Sequence, residues 1–103
     1  MSLDTQTRKQ LKALGHALNP VVTVAGKGLS DSVLEEIRRA LHDHELIKVK
    51  FAVGDRAAKQ QLIAEMCQRC ECELAQQIGH IALIYKKNPQ AKLGLSNIRN
   101  SVE

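Results

Sequence analysis

The chain has 103 residues, 44% of them hydrophobic, and its 15 Lys and Arg outnumber 11 Asp and Glu for a net charge of +4. That size suits one domain with one core. The polar first ten residues and the lack of any run of about 18 apolar residues argue against a secretory leader or a spanning helix. With one Phe, one Tyr and no Trp, the chain is poorly equipped to stack nucleobases on aromatic platforms.

Leu11, Leu14 and Leu18 fall on one helical face. A first helix is expected to start near Asp4 or Thr5 and to end before Asn19, because the residue preceding Pro20 disfavours helix. Arg8, Lys9, Lys12 and His16 crowd the flanks of the stripe. No acid follows Asp4 to neutralise the face shared by Lys9, Lys12 and His16. From Pro20 to Ala25 the β-branched run Val21, Val22, Thr23 and Val24 reads as a buried strand. It stops at Gly26, Lys27 and Gly28. An amphipathic helix follows, with Ser30, Asp31 and Ser32 as candidate caps and Val33, Leu34, Ile37, Ala40 and Leu41 as its stripe.

A second strand is expected over Leu46–Val53. Ile47, Val49, Phe51 and Val53 alternate onto one face, and Lys48 and Lys50 share the other. Gly54 breaks the strand and Asp55 can cap a third helix, whose stripe is Leu62, Ile63, Met66, Cys67 and Cys70. Arg56 and Lys59 read as its solvated face. Arg38 and Arg39 lie near Glu35, Glu36 and Asp43, as in helix-surface ion pairs. Two short strands, Glu73–Ile78 and Ile81–Lys86, flank Gly79-His80, which suits a two-residue hairpin turn. From Lys87 the chain turns polar, and its last dozen residues read as a loosely held tail.

The order α-β-α-β-α-β-β predicts an α/β fold, a single open domain with a four-stranded mixed sheet and three helices. The lysines on the second strand imply that one sheet face is partly wet.

The bend Gly26-Lys27-Gly28 carries the strongest functional signal. Glycines between a strand and a helix start let a ligand approach the backbone where amides carry partial positive charge, an arrangement suited to phosphate. Two nucleotide motifs are excluded. A P-loop needs G-x-x-x-x-G-K-[ST], and Gly28 is followed by Leu29 and Ser30; the dinucleotide fingerprint needs a third glycine where Asp31 stands. A loop that holds a nucleic-acid backbone remains open. Cys67, Cys70 and Cys72 form C-x-x-C-x-C without a fourth metal ligand nearby in sequence, so core packing is expected rather than a metal site. His42 and His44 match no metal motif. No nucleophile has an evident base, so no enzyme and no cofactor are expected. Three cysteines in a chain without a leader suggest a reducing, cytoplasmic setting.

Several segments in order resemble the CRM domain in its stand-alone bacterial form, the YhbY-like proteins. They are Lys9–Pro20 (KQLKALGHALNP), the Val21-Val22 strand, Gly28–Ser30 (GLS), His44–Lys50 (HELIKVK) and Gln77–Tyr85 (QIGHIALIY). The resemblance covers about residues 5–87. It implies a CRM-type domain over 1–87 with a polar tail over 88–103, and a fold similar to the C-terminal domain of translation initiation factor three. It also implies binding of structured RNA and association with the precursor of the large ribosomal subunit; separately, a monomer without membrane contact is expected. Two departures stand out. Ala25 occupies the first glycine position of the family's G-x-x-G loop, and His80 stands where Lys or Arg is common. The residues expected to contact RNA are Gly26, Lys27, Gly28, Lys9, Lys12, His16, Lys48 and Lys50. The competing expectations are a small phosphate-ligand domain built on the same loop and a protein-docking adaptor on the ribosome.

Overall fold

The structure is a computed structural model and describes residues 4–26, 28–90 and 96. Its first helix, α1 (Thr5–Gly15), begins where Asp4 accepts from the Thr7 amide at 2.7 Å. That backbone hydrogen bond holds the Asp4 carboxyl below its ordinary range. Strand β1 (Pro20–Val24) then leads through the glycine bend into α2 (Asp31–His44), capped by Ser30, whose hydroxyl accepts from the Val33 amide at 3.3 Å. Strand β2 (Leu46–Phe51) is followed by α3 (Arg56–Arg69), capped by Asp55 through the Ala58 amide at 3.0 Å. The chain closes with the hairpin β3 (Glu73–Ile78) and β4 (Ile81–Tyr85), joined at Gly79, where φ is +57°.

The sheet order is β1-β2-β4-β3, with β1 parallel to β2 and the other pairs antiparallel. The expected mixed four-stranded sheet with three helices is present. Alternation along the strands sends two sets of side chains to opposite faces. Val22, Val24, Ile47, Val49, Phe51, Ala82 and Ile84 join Leu34, Ile37 and Leu41 of α2 and Ile63 and Met66 of α3 in the main core. Leu46, Ala75 and Leu83 meet Leu11 of α1 on the other face. There α1 lies so close that a Cβ on Gly15 would stand 2.6 Å from a Leu83 methyl.

Several expectations change. Strand β1 is an edge strand, and only Val22 and Val24 are buried; Thr23 is exposed and Val21 is 50% exposed. Its apolar run read as two-sided burial, but α1 does not cover that corner of the sheet. Strand β2 stops at Phe51, two residues short of Val53, just after its last ladder bonds from the Phe51 amide to the His80 carbonyl and from the Ala52 amide to the Val24 carbonyl. Strands β1 and β4 each end one residue early, and Leu18 lies beyond α1, although it still packs against the smaller core.

Arg8 is not a surface cation. Its guanidinium donates to the carbonyls of Leu74 and Ala75, where the β3–β4 register shifts between Leu74 and Gln76. Arg38 donates to the Arg69 carbonyl at the end of α3 rather than to a neighbouring acid. Lys59 is buried to within 9% of full exclusion rather than solvated. Of the expected tail over 88–103, all but residues 88–90 and 96 lie outside the described residues. The buried Glu45, at φ +62°, accepts from the Asn88 amide at 2.8 Å and from the buried Ser96 hydroxyl at 2.6 Å.

Candidate functional site

The bend between β1 and α2 is a four-residue turn. The Gly28 amide donates to the Ala25 carbonyl at 2.8 Å, and the Ser30 amide donates to Gly28 at 3.1 Å. Among the described residues of the bend, only Gly28 takes the left-handed conformation, at φ +69°. Ala25 therefore occupies the family's first glycine position without a left-handed backbone. Gly26 is exposed, with nothing within 4 Å of where a Cβ would be. Lys27 lies outside the described residues. The bend reaches the surface as expected, but the Gly28, Ser30 and Val33 amides are occupied within the protein, so its amide cradle is narrower than the sequence suggests.

The other candidates form two groups. Lys9, Lys12 and His16 are exposed on the solvent side of α1. Lys48 and Lys50 project from the sheet face that also carries α1, Lys50 exposed and Lys48 half-buried. Register places Lys50 between Thr23 and Ile81, and Lys48 between Pro20 and Leu83. Pro20, Lys48, Gln76, Ile78, Ile81 and Leu83 line a shallow groove of about 190 Å³ there. Lys50 stands toward the sheet end that bears the glycine bend, whereas Leu46, packed with Leu11, stands at the other end. None of Lys9, Lys12, Lys48, Lys50 and the His16 ring has an acidic partner among the described residues.

Three loops converge at the bend's end of the sheet: the bend itself, residues 52–55, and the Gly79-His80 turn, tied to Phe51 at 2.7 Å. The first turns of α3 rise between two grooves at this end. One, of about 500 Å³, touches Gly26, Gly28, Gly54, Gln61 and Glu65. The other, of about 490 Å³, is lined by Arg56, Lys59, Gln60, Gln77 and Gly79. The sequence places Arg56 and Lys59 on a solvated helix face and not at a site. A usable signal was present: after Asp55, the first turn of α3 contains no acid but holds cations against the positive end of the helix dipole.

The aromatic residues are engaged in packing. Phe51 is fully buried and Tyr85 is half-buried against the smaller core. The three cysteines are free thiols at the end of α3. The Cys72 amide bonds the Cys67 carbonyl at 3.0 Å around Glu71, at φ +52°, which closes the helix and sets Cys67 beside Cys72. A hydrogen bond from Cys72 lowers the Cys67 pKa, and burial raises that of Cys70. Among the described residues, no group of three His, Cys, Asp or Glu side chains could hold a metal ion.

The CRS1 / YhbY (CRM) domain model matches residues 3–86. The chain belongs to this family. Two relatives support the assignment along nearly the whole length of the CRM chain. A probable RNA-binding protein of Pseudomonas aeruginosa is 48% identical, covering 95% of this chain and 94% of its own. An RNA-binding protein of Haemophilus influenzae is 45% identical, covering 91% and 95%. The CRM fold also resembles the solution structure of a hypothetical protein from Staphylococcus aureus, with a TM-score of 0.76 and 26% identity over 87% of this chain and 94% of that one.

Proposed function

We propose that this CRM-domain protein binds structured RNA through its phosphate backbone and assists assembly of the large ribosomal subunit. The observation that carries the RNA reading is the combination of basic side chains, without acidic partners among the described residues, with inward-packed aromatics. Lys9, Lys12, His16, Lys48 and Lys50 reach solvent without acidic partners among the described residues, while Phe51 and Tyr85 pack inward. Such a surface reads charge and helical shape rather than base identity. The names of the Pseudomonas and Haemophilus relatives point the same way. In this reading Lys27 supplies a further cation at the bend, and the protein acts as a cytoplasmic monomer that binds without catalysing.

Two experiments separate the coarse and fine parts of the proposal. Titration with an RNA stem-loop at increasing salt should show affinity falling steeply, because each phosphate contact displaces counterions. A salt-independent or absent interaction overturns the RNA reading. Sedimentation of cell extract should place the protein with large-subunit precursors, and ribonuclease treatment should release it. Retention after digestion of accessible RNA would instead favour docking on ribosomal protein.

A further inference from the structure

Lys59 is in an unfavourable position for a lysine. It is 9% exposed, has no hydrogen-bond or ion-pair partner for its ammonium among the described residues, and lies in the first turns of α3. Its stem is enclosed while its ammonium opens onto the adjoining groove, and proximity to the positive end of a helix disfavours the charge. Arg56, also without a partner among the described residues, stands one turn away on the same helix. The groove they share is completed by Gln60, Gln77 and Gly79, and its lining contains no carboxylate. The nearest acid in sequence, Asp55, is not in that lining and accepts from the Ala58 amide. Two cations, two amide side chains and a helix start thus converge on a space of about 490 Å³ whose lining holds no carboxylate.

We propose that this groove between α3 and the β3–β4 hairpin is a second phosphate site, in which Arg56 and Lys59 seat a backbone phosphate of the bound RNA. The proposal rests on the RNA-binding reading above and extends it to a surface outside the glycine bend and the lysine face. An incoming phosphate supplies the charge that Lys59 lacks. The glutamine side chains can donate to its oxygens or pair with a neighbouring ribose hydroxyl.

The test uses Lys59→Met, which keeps the unbranched apolar stem and removes the charge, and Arg56→Gln on the exposed rim. Both are titrated against the same RNA stem-loop across a salt series, and thermal midpoints are recorded without RNA. Each variant should bind about tenfold more weakly, with a log–log salt slope shallower by about one unit. Lys59→Met should also melt no lower than wild type, because a cation beside the positive end of α3 is removed while the packed stem is kept. A structural lysine would give the reverse pattern, with a lower midpoint and unchanged RNA affinity. If the wild type binds steeply and both variants match it in affinity and slope, the groove assignment is overturned and the RNA reading stands. If the wild type itself fails to bind the stem-loop, both fall together.

Discussion

Single residues set the conformation of the candidate site. Gly28 holds φ +69°, and a Cβ there would meet Leu62 at 3.7 Å, an ordinary contact. The demand is therefore conformational rather than steric. Gly28→Ala should cost roughly 1–2 kcal/mol in a urea titration, whereas Gly26→Ala, with open space around it, should be near neutral. Equal costs at the two positions would contradict the turn as described. Tyr85 provides a second residue-scale test, because it is the one tyrosine and can be titrated by its ultraviolet absorbance. Burial first, and then the nearby Glu45 carboxylate, raise its pKa above the ordinary value of 10.0. The folded state then favours the neutral phenol. Stability from this group is complete below the unfolded value and is lost as pH rises through the folded one. The native midpoint should exceed that of the chain in denaturant, and Glu45→Gln should lower it; a native midpoint at or below the denatured one would contradict the packing.

At the level of elements, helix and strand identities were largely legible in the sequence, and their surroundings were not. The caps Asp4, Ser30 and Asp55, the apolar stripes and the Gly79 turn are local signals, and each element appears where they place it. Exposure depends on partners distant in the chain. Nothing local in Pro20–Val24 reveals an edge strand, because the same β-branched run suits a central one. Arg8 resembles its basic neighbours until the irregularity in β3, 66 residues away, presents carbonyls to it. Lys59 resembles a solvated helix residue until the hairpin closes beside α3. For the candidate site, the exposed bend and the shared face of Lys48 and Lys50 were readable; the internal use of the Gly28 and Ser30 amides was not. The packing of α1 on β4 can be tested directly. Gly15→Ala should cost about 1–3 kcal/mol by driving a Cβ into Leu83, and Leu83→Val should offset part of that cost in the double variant. Strict additivity in a denaturation cycle would show that the two residues do not meet.

Across the whole molecule, one side of the sheet is closed by two helices and the other is half covered by α1. This asymmetry leaves Lys48 and Lys50 on the partly open face, beside an α1 whose solvent side carries Lys9, Lys12 and His16. The end of the sheet adds the glycine bend and the Arg56–Lys59 groove. With the aromatic side chains committed to packing, binding to RNA is assigned to charge arranged on a rigid scaffold. The most direct test is the salt dependence of stem-loop RNA binding by the wild type and by a Lys48→Glu, Lys50→Glu double variant with an unchanged melting midpoint. The account predicts a steep wild-type slope and, in the variant, weaker binding to every structured RNA tried, with a slope shallower by about two units. A variant that retains wild-type affinity and slope would contradict it.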